Sequence, residues 1–189
     1  YILGILFGWF YAKKIIKKLN KEANYRHLKV QDFDDFIPYL IIGIILGGRI
    51  GYVLIYNINY YLKNLNEIFY VWEGGMSFHG GLIGTIVATI FFTKKKKINL
   101  FNYLDIIACV APIGLFLGRI SNFINGELYG KTTDLPWGVI FPNVGAFARH
   151  PSQIYEAILE GIILFILINF FAFKKQLLLK TGYISGLFL

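Results

Sequence analysis

Apolar residues run along this chain in long blocks separated by short polar connections. Residues 1–12 (YILGILFGWFYA) form a first block, 36–56 a second with Arg49 as its one charge, 76–93 a third, 98–118 a fourth and 152–173 a fifth, and a sixth begins at Gly182. At about 1.5 Å per residue, roughly 20 apolar residues cross the hydrocarbon of a bilayer as a helix. The pattern predicts transmembrane helices over 36–56, 98–118 and 152–173. It also predicts a shorter one over 76–93, irregular in its glycine-rich first turns, and the inner half of another over 1–12. Residues 13–29 hold seven Lys and Arg and are expected to form a solvated connection. Position 1 is not Met and the last block stops after eight residues, so a fragment open at both ends is expected.

Composition agrees with this pattern: 56% of the residues are hydrophobic, 18% aromatic and 16% charged, which excludes an ordinary soluble domain. The net charge of +8 suggests nucleic acid until the charges are placed. Fourteen of the 19 Lys and Arg fall in three connections, 13–29, 94–97 and 174–180, which alternate with connections poor in them. By the positive-inside rule these three are cytoplasmic, and residues 57–75, 118–130 and 149–153 face outward. Glycines recur every fourth residue at Gly4/Gly8, Gly43/Gly47/Gly51, Gly80/Gly84, Gly114/Gly118 and Gly182/Gly186, a spacing that lets helix backbones approach closely. The expected fold is an all-α polytopic integral membrane protein: one domain over 1–189, a compact glycine-packed bundle of about six to seven transmembrane helices.

The densest polar chemistry lies in GRISNFINGELYG, residues 118–130. If the fourth helix continues a turn past Gly118, Arg119 and Asn122 share a face, and Asn125 and Glu127 enter the loop beyond. Gly126 and Gly130 permit a tight backbone there. The cluster reads either as a ligand site or as a loop satisfying its own backbone. Arg49 either snorkels to the interface or points into a cavity. His79, flanked by Gly80 and Gly81, is either a hydrogen-bonded structural residue or a general base. Gln153, Glu156 and Glu160 recur on one helix face; the two carboxylates need partners, and Arg49, Arg119 and Arg149 are available. They form an ion-pair network or a substrate site. Cys109, in an apolar run, reads as a small core residue. With three His, one Cys and no HExxH, GxSxG or GxxxxGK[ST] motif, the chain is expected to act without a metal, a nucleotide cofactor or a covalent nucleophile of its own.

The motifs GGRIGYVLIYN, VWEGGMSFHGGLIG, GRISNFINGELYG, DLPWGVIFP and RHPSQIYEA, in this order over nearly the whole chain, resemble the prolipoprotein diacylglyceryl transferases of bacterial plasma membranes. Ser121 departs from the family signature, which commonly has Gly there, and the family's last helix with its later Arg and Glu would lie beyond Leu189. The resemblance implies a multi-pass enzyme of the inner membrane whose active site faces the extracytoplasmic side. It would transfer a diacylglyceryl group from phosphatidylglycerol to the lipobox cysteine of a prolipoprotein signal peptide, forming a thioether and releasing glycerol phosphate. It further implies Arg119 as the phosphate ligand, Asn122, Glu127 and Gly130 as an essential loop, His79 as the base and Tyr1 as an essential N-terminal tyrosine. Arg49, Asn125, Gln153 and Glu156 complete the expected substrate contacts. The lipid would enter from the bilayer, and nucleic acid is not an expected partner. The alternative from another class is a small transporter or lipid carrier with an outward anion-binding Arg/Asn/Glu cluster, although no internal repeat supports it.

Overall fold

The computed structural model describes residues 2–22 and 28–189, and its regular elements are helical. Tyr1 lies outside the described residues. Helix α1 is Ile2–Glu22, α2 Val30–Ile55, the single turn α3 Ile58–Tyr61, α4 Phe78–Lys96, α5 Leu100–Asn125, α6 Ser152–Lys174 and α7 Tyr183–Phe188. Extended pairing among the described residues is limited to isolated bridges from Thr132 and Val139 to Arg149. α2, α5 and α6 are long and apolar enough to cross a membrane. They expose large apolar side chains such as Ile42, Leu46 and Leu54 on α2 and Leu159 and Ile166 on α6, as a lipid-facing surface requires. The polytopic all-α membrane class expected from the block pattern is borne out.

Several boundaries differ from that pattern. Residues 13–22 are the second half of α1, not a connection. Ala12, Ile15, Ile16 and Leu19 are buried there at helical spacing, so one face packs while the lysines occupy the other. α2 begins at Val30, where Asp32 Oδ2 accepts the Lys29 N–H at 2.8 Å. α5 runs past Gly118 to Asn125, so Asn125 ends the helix rather than entering the loop. α6 is not a uniform α-helix: Ala157–Ile163 and Phe170–Lys174 are wide π turns.

The chain packs as two compact units, one of Tyr1–Arg26 with Leu104–Leu189 and one of His27–Tyr103. In the second, α2 and α4 meet backbone to backbone along the glycine seam. A Cβ at Gly43 would lie 2.6 Å from the Gly84 carbonyl oxygen and 2.8 Å from Ala88 Cβ, and one at Gly51 would lie 2.7 Å from Gly80 Cα. Below the seam, Phe33, Phe36, Phe92 and Tyr103 form a buried ring cluster with centroids 4.9–6.1 Å apart, and Lys96 pairs with Asp35.

The first unit is held by polar ties between apolar helices. Tyr11 on α1 donates to Asn169 Oδ1 on α6 at 2.7 Å, and Asn169 Nδ2 donates to the Phe165 carbonyl at 2.8 Å and the Cys109 carbonyl on α5 at 3.4 Å. Asp105, fully buried on α5, accepts the N–H groups of Gly182 (2.7 Å) and Ser185 (2.8 Å) and the Ser185 hydroxyl (2.8 Å), capping α7. Hydrocarbon leaves such groups no water, so each tie fixes a helix neighbour.

Candidate functional site

The chain leaves α5 through a strained turn. Gly126 (φ 68°) and Leu128 (φ 52°) lie in the left-handed region, which glycine adopts freely and leucine does not. The turn folds Glu127 back on the helix: its N–H donates to the Asn122 carbonyl at 2.8 Å, and buried Asn122 donates through Nδ2 to Glu127 Oε2 at 3.1 Å. The first turn of α6 closes over it. Gln153 Nε2 donates to the Glu127 carbonyl at 2.5 Å and Ser152 Oγ to the Leu128 carbonyl at 2.8 Å. Holding leucine at positive φ costs on the order of 1–2 kcal/mol, which these bonds offset. Gln153 is fully buried, and its Oε1 has no partner among the described residues.

Gly130 is required by close approach. A Cβ there would lie 2.8 Å from His150 Cβ and 2.9 Å from the His150 carbonyl oxygen, the group its own N–H bonds at 2.9 Å. That contact lays residues 130–133 beside 148–150, with Arg149 donating to the Gly130 carbonyl at 3.3 Å and stacking over Tyr129 at 5.0 Å. Tyr155 accepts from Trp137 Nε1 at 2.8 Å and lies 3.3 Å from His150 Nδ1. Trp137 and Tyr155 were not singled out in the sequence, because nothing in their spacing brings them together.

Arg119 projects from α5 toward α6. Its Nε lies 2.8 Å from Glu156 Oε2 and its Nη2 3.3 Å from Glu160 Oε2. Among the three arginines available to these carboxylates, Arg119 is the partner of both. Glu160 and Gly161 sit in the first π turn, and a Cβ at Gly161 would lie 2.6 Å from Phe116 Cβ. Glycine therefore lets α6 press on α5 one helical turn before Arg119, which brings the carboxylates level with the guanidinium. Such wide turns are frequent at functional sites. The Arg119 side chain is 27% exposed and those of Glu156 and Glu160 are 36% and 44% exposed, so an incoming anion can compete for the guanidinium. Two of its five N–H donors are aimed at carboxylates.

Arg119, Asn122, Glu127, Gly130, Gln153, Glu156 and Glu160 are thus brought together in one unit. Asn125 is exposed and lines a separate open cleft of about 230 Å³ with Phe123, Gly126 and Phe141. His79 and Arg49 belong to the other unit. His79 is exposed in the first turn of α4, which Ser77 caps by accepting the Gly80 N–H at 3.2 Å. Arg49 is buried and bonded to loop carbonyls.

The family model for prolipoprotein diacylglyceryl transferase matches residues 1–189. The phosphatidylglycerol–prolipoprotein diacylglyceryl transferase of Rickettsia felis is 53% identical over 189 residues, all of this chain and 71% of that protein. Its namesake in Rickettsia bellii is likewise 53% identical, with 70% of its length covered, and that of Rickettsia akari is 52% identical, with 71% covered. With its motifs in order and the match running end to end, the chain belongs to the prolipoprotein diacylglyceryl transferase family.

Proposed function

We propose that this chain transfers the diacylglyceryl group of phosphatidylglycerol to the lipobox cysteine of a prolipoprotein signal peptide. The cysteine thiol loses its proton, and its sulfur forms a bond to the glycerol carbon that carried the phosphate. The carbon–oxygen bond to phosphate breaks, its electron pair leaving with glycerol phosphate, and a thioether remains. The names of the relatives support both substrates. The observation in this chain that carries the reading is Arg119, a partly exposed guanidinium shared by two carboxylates beside the Asn122–Glu127 turn.

The leaving group is already an anion, so catalysis rests on holding its phosphate and orienting the sulfur. Arg119 supplies a planar fork matched to two phosphate oxygens. Asn122 fixes the Glu127 carboxylate, and Gly130 sets the loop path. A thiol of pKa near 8.5 attacks better as the thiolate, and the exposed carboxylate of Glu127 and the exposed imidazole of His79 are the candidate acceptors of its proton. Glu156 and Gln153 act on the lipid through Arg119 and the Glu127 turn, and Asn125 through the cleft it lines. The alternation of Lys- and Arg-rich segments supports an extracytoplasmic face for this chemistry, and the family resemblance supports a bacterial inner membrane.

The test is reconstitution of the full-length protein with phosphatidylglycerol and a lipobox peptide, with the thioether product followed by mass spectrometry. Arg119→Ala is expected to lower turnover by about 10²–10³, the usual loss when a group stabilising developing charge is removed. Absence of product with the wild type, or undiminished product with Arg119→Ala, would sink the reading.

A further inference from the structure

The connection between α2 and α4 is an unusual loop. Several of its large side chains point outward, with Phe69 76% and Trp72 73% exposed, while Tyr61 is buried. What converges inside it is backbone carbonyls on Arg49, itself only 4% exposed. Arg49 Nε donates to the Ile68 carbonyl at 2.9 Å, Nη1 to Gly74 at 2.6 Å and Gly75 at 3.3 Å, and Nη2 to Glu67 at 2.6 Å. The ring of Tyr61 lies 5.2 Å from the guanidinium carbon. The Glu67 carboxylate is engaged elsewhere: it accepts the Tyr60 hydroxyl at 2.6 Å, which pushes the phenol's pKa up. Gly74 (φ 86°) and Gly75 (φ 77°) adopt the left-handed backbone that turns their carbonyls toward Arg49.

Four of the five guanidinium donors are therefore used, and both edges that would clamp a phosphate are occupied. Immediately after the caged carbonyls, the Ser77 N–H donates to the Gly48 carbonyl at 2.9 Å, one residue before Arg49, and Ser77 then caps the helix turn that carries His79. Resting on the transferase reading above, we propose that Arg49 is a positioning residue for that reaction and not a ligand of the lipid phosphate. It holds segment 67–75 by its backbone and so sets where α4 and His79 begin. Lysine cannot replace it, because an ammonium has three tetrahedral donors for four converging carbonyls.

The experiment compares full-length wild type, Arg49→Lys, Arg49→Gln and Gly74→Ala in phosphatidylglycerol vesicles with a lipobox peptide, together with limited proteolysis. Gly74→Ala keeps the charge and has open space around its Cβ, but strains the turn that aims one carbonyl, so it decides the matter if the Arg49 variants fail to fold. Both Arg49 variants are expected to lose kcat by about 10- to 100-fold, the effect of a misplacement near 1 Å. KM for phosphatidylglycerol should stay unchanged, Lys should give no rescue, and new cleavage should appear within 62–75. Gly74→Ala should show a smaller loss of the same kind. A raised KM with kcat kept and activity restored by Lys would make Arg49 a headgroup ligand and overturn the proposal. Wild-type kinetics, or a loop that stays uncut, would overturn it too. If the wild type itself makes no product, the transferase reading fails, and cleavage within 62–75 alone decides whether Arg49 holds the segment.

Discussion

Gly43→Ala probes the seam between α2 and α4. The added methyl would lie 2.6 Å from the Gly84 carbonyl oxygen, 2.8 Å from Ala88 Cβ and 3.1 Å from the Gly84 carbonyl carbon. Backbone atoms in the middle of a helix have no rotamer to escape into, so relief requires the helices to part by roughly 0.5–1 Å, which forfeits a quarter to a half of the dispersion at each contact pair. Overpacking of this kind costs about 1–3 kcal/mol, opposed by roughly 1 kcal/mol gained from replacing glycine in a helix. The net expectation is a loss of up to about 2 kcal/mol relative to wild type, and a stability about 1–3 kcal/mol below that of a glycine-to-alanine change without the clash, or several degrees in Tm at about 2–4 °C per kcal/mol for a chain of this size. Gly114→Ala is the internal control: it is also a mid-helix glycine on a four-residue repeat, but its Cβ would meet nothing within 4 Å, so only the gain remains. Thermal unfolding of both variants in the same detergent separates the two effects. If Gly43→Ala is as stable as Gly114→Ala, the seam is not a steric contact.

Two further outcomes are expected. Asn122→Asp replaces the Nδ2 donor that holds Glu127 at 3.1 Å with a second carboxylate; it should displace Glu127 and cut transfer on the order of 10- to 100-fold at a stability cost near 1 kcal/mol, and wild-type turnover would show that the pair is unimportant. Asp105→Ala removes the acceptor of three hydrogen bonds from Gly182 and Ser185. It should cost about 2–4 kcal/mol and speed hydrogen exchange in α7 ahead of α5, so unchanged protection of the Ser185 amide argues against the cap.

The spans and the seam were legible because both depend on which side chains are present or missing at a fixed period. The second half of α1 was not, since its lysines dominate the count while Ala12, Ile15, Ile16 and Leu19 set the structure. On the site, the shared face of Gln153, Glu156 and Glu160 could be read from spacing, and the choice of Arg119 as partner needed the Gly161–Phe116 contact. Arg49 shows the deeper limit. Its acceptors are main-chain carbonyls, which every residue carries and no letter marks, so its environment is invisible until the loop has a shape. The π turns of α6 are hidden for the same reason.

The pairing of Arg119 with Glu156 and Glu160 has a bearing on turnover. A guanidinium already divided between two fixed carboxylates is a poor trap: a singly charged diester can borrow it, but a doubly charged guest meets two resident negative neighbours. In the proposed reaction the bound phosphate changes from diester to monoester, which gains a second charge near neutral pH, its second pKa being about 6. The same carboxylates that orient the arginine for the lipid would then hasten the departure of what the lipid leaves behind, favouring throughput over grip.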